Sequence, residues 1–162
     1  LTLVPQLLVV NTGSEGDWDR ASVEARARGR QVLAFPFLEA LEVARLSEEE
    51  QAEFAEALGL PGPAAEVVAQ AAFRELGLIS FLTTGSDEVR AWPIRAGENA
   101  RQAAGAVHSD MERGFIRAEV VSFADFMRYG NMKSCREAGV LRVEGKDYIV
   151  ADGDIISFRF NI

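Results

Sequence analysis

Apolar and polar positions follow two different rhythms in this chain, and the change falls near residue 77. Before it, short continuous apolar runs alternate with helically spaced ones. Leu3 to Val10 is rich in Leu and Val, carries Pro5 early, and stops at Asn11-Thr12-Gly13-Ser14. A run of that length ending in turn formers predicts a strand buried on both faces. Asp17 to Gly29 has the spacing of a helix, with Asp17 placed to cap it and Gly29 to end it. Gln31 to Phe35 is a second buried strand, closed by Pro36. Strand, helix, strand at this spacing is a βαβ unit and demands a parallel pair. Two strands do not make a stable sheet, so this half reads as the last part of a larger α/β domain. Ser47-Glu48-Glu49-Glu50 is a capping box that opens a helix to about Leu58. Gly59-Leu60-Pro61-Gly62-Pro63 breaks it. Ala64 to Leu76 forms the next helix, with Val67, Val68, Ala71, Ala72 and Leu76 on its apolar side, and Gly77 ends it.

From Leu78 the period is that of strands. Ile79–Thr83 and Val89–Arg95 read as a hairpin around Gly85-Ser86-Asp87. Gly97 to Phe123 follows, a stretch with an Ala- and Gly-rich helical segment from Ala100 to Val107. Small side chains let a helix lie close on a sheet, and Gly114 suits a helix end. Phe115 to Val121 is a strand. A short helix starts at Ser122 with Asp125 completing a capping box, and another runs from Asn131 to Ala138. The closing strands are Leu141–Val143, Tyr148–Val150 and Ile155–Phe160, the last with Ile156, Phe158, Phe160 and Ile162 on one face. Hairpin, helix, then short strands is the order of an α+β β-grasp fold. The expected division is therefore 1–77 and 78–162.

Charge sharpens that division. Residues 1–77 carry 6 Lys+Arg against 13 Asp+Glu, and residues 78–162 carry 11 against 12. A chain of net charge −8 has no overall basic footprint for nucleic acid, so any such contact rests on a local patch. The single cysteine, Cys135, forms no internal disulfide and sits in an ordinary helical sequence, which fits a reducing compartment and gives no sign of a catalytic thiol. No apolar run approaches 18 residues and no signal peptide is visible, so a soluble, cytoplasmic chain without membrane contact is expected. A first residue of Leu rather than Met suggests a fragment or a trimmed chain.

Catalytic chemistry is sparse. There is no G-x-x-x-x-G-K-[ST] and no G-x-G-x-x-G after a strand, and lysine occurs only at Lys133 and Lys146. Without a backbone cradle and its lysine, this chain alone holds no triphosphate for transfer and is expected to be inactive. His108 has no Cys or second His nearby, so a metal site is not expected, and a helix-end histidine bonded to backbone is the simpler reading. Asp152-Gly153-Asp154 lacks the later glutamate of a calcium loop and reads as a turn. Asp110 and Glu112 read as a solvated pair, and Ser109 has no base beside it. The ligand-like feature of the first half is Asn11 to Glu15, directly after a strand end, where open α/β sheets bind their ligands.

The stretch Gly97 to Phe123, with Ala103-Ala104-Gly105, His108-Ser109-Asp110 and Gly114-Phe115-Ile116, resembles the TGS domain of the YchF/Obg-like ATPase family (TRAFAC P-loop NTPases). Phe81-Leu82-Thr83-Thr84-Gly85, Asp87 to Trp92, Glu144 to Val150 and Asp152-Gly153-Asp154 before a terminal Phe-x-Phe-Asn extend the resemblance over nearly the whole chain. It implies an α/β fragment of a P-loop NTPase domain followed by a β-grasp TGS domain. It also implies ATP or GTP hydrolysis with Mg2+ in the intact protein, with the P-loop portion upstream of Leu1, and binding to the ribosome or RNA. In that family an Asn-x-x-Glu reads the base. Here the glutamate arrives one residue late, at Glu15, with Ser14 in its place. The resemblance puts nucleotide contacts at Asn11, Thr12, Glu15, and a second loop at Phe37, Leu38 and Glu39. Strand periodicity places Arg90 and Trp92 on one side of their strand, Arg117 opposite Ile116, Ala118 and Val120, and Arg159 opposite Phe158 and Phe160. If these strands are neighbours, the four form an RNA- or ribosome-binding face. A free-standing TGS adaptor without catalysis, or a protein-interaction module using the acidic helices from Glu39 to Leu58, are the alternative readings.

Overall fold

The computed structural model describes residues 4–13, 19–85 and 88–161. The chain divides into two compact units, Leu1–Leu76 and Gly77–Ile162.

In the first unit, strands β1 (Leu8–Asn11) and β2 (Val32–Phe35) pair in parallel, Leu8 opposite Val32 and Asn11 opposite Phe35, around helix α1 (Arg20–Ala27). The expected strand from Leu3 begins only at Leu8, because Pro5 offers no N–H and the partner strand has four residues. The expected helix cap, Asp17, lies outside the described residues. Pro36 ends β2, and the chain turns at once into helix α2 (Phe37–Val43). The loop expected at Phe37-Leu38-Glu39 is thus the first turn of a helix. Phe37, Ala40, Leu41 and Ala44 recur at helical spacing there, and Pro36 supplies the fixed φ of a helix entry. Helix α3 (Glu48–Ala57) opens on the foreseen capping box, in which the Glu50 carboxylate accepts from the Ser47 N–H at 3.2 Å and its hydroxyl at 2.7 Å. Helix α4 (Ala64–Glu75) buries Ala71 but leaves Leu76 exposed.

The second unit is a five-stranded sheet of β3 (Leu78–Thr84), β4 (Val89–Arg95), β5 (Phe115–Val121), β6 (Arg142–Glu144) and β7 (Ile155–Phe160), in the order β4-β3-β7-β5-β6. Only β3 and β7 run parallel. Helix α5 (Ala100–Val107) is part of the core with one sheet face, and Ala100 and Ala103 are wholly buried with Phe81, Ile94, Ala118, Val120 and Ile156. Asn99 caps α5, accepting from the Gln102 N–H at 3.0 Å while Gln102 reaches back to the Asn99 N–H. Helix α6 (Ser109–Arg113) follows His108 and ends at Gly114. Helices α7 (Phe123–Tyr129) and α8 (Met132–Glu137) link β5 to β6. Ser122 caps α7 by accepting from the Asp125 N–H, but Asp125 returns the bond to the Ser122 hydroxyl rather than to backbone.

The strand expected at Tyr148–Val150 is a single bridge, Ile149 to Asn99. Its backbone groups are spent at the start of α5. The Tyr148 carbonyl accepts from the Ala100 N–H at 2.8 Å, and the Val150 N–H donates to Glu98 at 3.1 Å.

Gly114 is required by close approach rather than by a turn. Its φ is −93°, open to any residue, yet a Cβ there would stand 1.9 Å from the Asn161 carbonyl oxygen. The Asn161 N–H donates to the Gly114 carbonyl at 2.9 Å, which holds the two backbones together at this point. Gly114→Ala should therefore destabilise the unit by about 1–3 kcal/mol or more, as overpacking does. Gly145→Ala, where nothing lies within 4 Å, should stay within about 0.5 kcal/mol. Urea unfolding of the two variants measures both, and equal midpoints would contradict the close-approach account.

Candidate functional site

Two groups of predicted residues are placed by the structure. The first lies at the carboxyl ends of β1 and β2. Asn11 is the last residue of β1, and its side-chain oxygen accepts from the Phe37 N–H at 3.0 Å. The Thr12 N–H donates to the Phe35 carbonyl at 3.1 Å. The ring of Phe37 meets Phe35 edge-on at 4.9 Å. Asn11, Thr12 and Phe37 are thus drawn together across the ends of two parallel strands, with Leu38 beside them and 62% exposed. With its oxygen committed to backbone, the Asn11 carboxamide keeps its NH2 as a donor. Glu15 lies outside the described residues.

The second group does not assemble as the sequence reading expected. Strand β3 separates β4 from β7, so the four residues are not on neighbouring strands. Trp92 packs against the core on the α5 side, donating its indole N–H to Thr83 at 2.9 Å, and Arg90 stacks over it at 4.2 Å. Arg117 and Arg159 stand opposite each other on β5 and β7. They flank Glu119, whose neighbours Ala118 and Val120 point into the core, so these arginines occupy the other face. The single Arg–aromatic face is therefore two half-sites on opposite sides of the sheet. Strand order is a tertiary fact that period-two counting does not contain.

What does assemble is a cluster the sequence reading missed. Glu119 is 5% exposed, and three guanidiniums converge on its carboxylate. Arg136 of α8 lies at 2.8 Å, Arg159 at 3.1 Å and Arg117 at 3.6 Å, each about half exposed. Burial pushes the Glu119 carboxyl up, but the hydrogen bond and charge of Arg159, with Arg136 and Arg117, outweigh it and hold the group below the usual carboxylate range. Residues 117 and 119 sharing a face was readable from the strand period. Arg136, arriving from a helix, was not.

The remaining candidates resolve into structure. His108 Nδ1 accepts from the Asp110 N–H at 3.2 Å, capping α6 as a helix-end histidine does. Asp152-Gly153-Asp154 is a turn, with Gly153 at φ +77°. Among the described residues no group of three or more His, Cys, Asp or Glu side chains is placed to hold a metal ion. No described helix is long and apolar enough to cross a membrane.

Comparison with known proteins agrees with this architecture. The family model described as "YchF-GTPase_C: Protein of unknown function" matches residues 78–161. The "Ribosome-binding ATPase YchF" of Escherichia coli O157:H7 is 41% identical over the whole of this chain, and the match takes in 46% of that protein. "Obg-like ATPase 1" of Bos taurus is 41% identical over 99% of this chain and 43% of its own length. The solved YchF GTPase of Schizosaccharomyces pombe superposes with a TM-score of 0.79 at 27% identity, covering 98% of this chain and 44% of that one. The chain thus spans less than half the length of the relatives it matches. From the family-model match over 78–161 and the likeness along its whole length, the chain belongs to the YchF/Obg-like ATPase family and carries that family's C-terminal domain.

Proposed function

We propose that this chain is the C-terminal portion of a YchF-type nucleotide-binding protein, in which residues 1–77 finish the P-loop NTPase domain and residues 78–162 form a β-grasp TGS domain. The intact protein hydrolyses ATP or GTP with Mg2+ in this reading, and the phosphate cradle and metal ligands lie in another part of it. The relatives named ribosome-binding ATPases support the ribosome as partner.

The observation that carries the nucleotide assignment is the 3.0 Å bond between Asn11 and the Phe37 N–H. It fixes a carboxamide at the carboxyl end of parallel strands, where α/β sheets take their ligands, and leaves its NH2 to meet an acceptor on a base edge. Thr12 and the Phe37-Leu38 turn flank that position, and Glu15 follows in sequence. This chain's own part is to bind and orient the base. Removing a hydrogen bond of this kind costs about 1–3 kcal/mol when a polar group is left unpaired. Asn11→Ala should therefore weaken nucleotide binding of the intact protein roughly 5- to 150-fold. Calorimetric titration with a non-hydrolysable ATP analogue measures it, and unchanged affinity would refute the assignment.

For RNA or ribosome contact, the Glu119 face has the better chemistry. Three half-exposed arginines serve one carboxylate there, leaving an excess of donors suited to phosphate oxygens. Arg90, stacked on Trp92 at the opposite face, provides a stacking platform for a base at most. Charge reversal at Arg117 and Arg159 should weaken ribosome co-sedimentation and make its salt dependence shallower by about one unit per lost phosphate contact. Binding indifferent to both changes and to salt would assign that face to structure alone.

Glu119→Gln separates the two roles of the cluster. It frees the arginines, so RNA affinity should rise and the salt slope should steepen by about one unit. It also removes charged hydrogen bonds whose usual worth is about 1.5–3 kcal/mol, toward the low end because the partners are half exposed. Glu119 has a depressed pKa in the folded state, so its stabilisation is full above the unfolded carboxylate pKa. That stabilisation is lost as pH falls through the lower, folded value. The stability gap between wild type and Glu119→Gln should thus be widest near neutral pH and close in acid. A gap that stays constant down to strongly acid pH would contradict the ion-pair account.

A further inference from the structure

We infer that the groove between α2, α3 and α4 of the first unit is a docking site for a basic amphipathic helix of a partner protein. The reading is independent of nucleotide and ribosome binding.

The groove has a volume of about 770 Å3. One wall is the α2 stripe of Phe37, Ala40, Leu41 and Ala44, and the other is the α3 stripe of Glu48, Gln51, Ala52 and Ala55. Each set follows i, i+3, i+4, i+7, so two helices turn a whole face toward the same empty space. Leu41 is 49% exposed there, and α3 has no buried residue at all. A ten-residue helix with no fully buried residue and only Gln51 and Ala55 partly buried gains little from its own domain. The alanines along both walls leave room for another backbone to approach closely, which is the geometry of helix-in-groove recognition.

Charge decides which helix fits. Between positions 39 and 56 there are seven glutamates, and Arg45 is the one basic residue, already paired to Glu42 at 2.8 Å. Glu48 lines the groove itself, and Glu49 follows it in the first turn of α3. An acidic helix would add like charge at the rim, and a neutral one would leave the rim carboxylates without a counter-charge. A helix with an apolar stripe and Lys or Arg on its flanks would fill the space and pair with the rim carboxylates.

The test uses two synthetic helical peptides that share one leucine stripe at i, i+3, i+4, i+7, with flanking positions all Lys in one and all Glu in the other. Fluorescence anisotropy is followed against the chain as its own gene encodes it, at two salt concentrations. The Lys peptide should bind and weaken with salt, and the Glu peptide should not bind. Leu41→Glu, an exposed position, and Ala52→Arg, which fills the groove, should each lower Lys-peptide affinity at least about tenfold. Glu48→Gln with Glu49→Gln should mainly flatten the salt dependence. Lys-peptide binding to the Leu41→Glu and Ala52→Arg chains as tight as to the unmutated chain would reduce the effect to nonspecific charge and overturn the proposal. So would absence of binding to the unmutated chain, whether a second copy or another segment of the same polypeptide fills the groove. Sedimentation of wild type against Leu41→Glu tells these occupants apart.

Discussion

The sheet of residues 77–162 depends on a seam between its first and last strands. Leu82 and Ile155 are the one register pair between β3 and β7. Three bonds tighten it: the Leu82 N–H to the Asp154 carbonyl at 2.8 Å, the Gly153 N–H to the Ser80 carbonyl at 2.8 Å, and the Ser80 N–H to the Asp152 carboxylate at 2.9 Å. Groups 72 positions apart in sequence meet here. Closing a loop of that length costs entropy that grows only slowly with length, but no nearby contact supplies a substitute. The turn that makes the seam is held by Asp154, which is 3% exposed. Its carboxylate accepts from the Ala151 N–H at 2.9 Å and the Tyr148 hydroxyl at 2.7 Å, with Arg142 at 3.4 Å. Burial and that bond to Asp154 push the Tyr148 phenol up. The hairpin β3–β4 and the trio β7–β5–β6 become one sheet through the hydrogen bonds of this turn.

The core is continuous across the seam for the same reason. Phe81 from β3 meets Phe158 from β7 edge-on at 5.8 Å, and Phe158 meets Phe115 of β5 at 6.3 Å. Such pairs add about 0.5–1.5 kcal/mol each beyond the area they bury. The alanines of α5 lie buried with these rings, and the helix is capped at Asn99 and tied by its first N–H to Tyr148. Tyr148 therefore holds the start of the helix through its carbonyl and the seam turn through its hydroxyl.

Much of this was legible where the signal is local. The capping box at Ser47, the cap at Ser122, the parallel β1–β2 pair and the turn at Gly153 each follow from neighbouring residues. The failures are equally physical. Tyr148–Val150 has the composition of a strand, but its backbone groups are taken by the start of α5. Phe37–Glu39 follows a strand and a proline, which fits a loop or a helix entry, and α2 wins through its four apolar residues at helical spacing. Asn11 was visible as a turn former after a strand. Its partner, the Phe37 N–H, depends on the pairing that sets Asn11 beside Phe35. The lateral division of Arg90 from Arg117 and Arg159 comes from strand order, which no single strand encodes, and the opposite faces come from Arg90 and Trp92 sharing the core side of β4 with Ile94.

On the proposed reading of the Glu119 face as a phosphate-binding surface, the charge layout explains how a chain this acidic offers one. Its net charge is −8, and 13 of its 25 acidic residues lie in the first 77 positions. At physiological ionic strength that field fades over about 8 Å, so what a phosphate meets is set by the groups in its immediate reach. At the Glu119 face those groups are three arginines held by one buried carboxylate. A free arginine gives up about 0.5–1.5 kcal/mol of side-chain freedom when a ligand immobilises it. Here part of that loss is taken at folding, because Arg136 and Arg159 already point to a common atom. The same carboxylate competes for their N–H groups, but each guanidinium has five donors and Glu119 takes only some of them. The cluster is therefore preorganised and only partly neutralised, which favours short-range, geometry-dependent contact over long-range attraction.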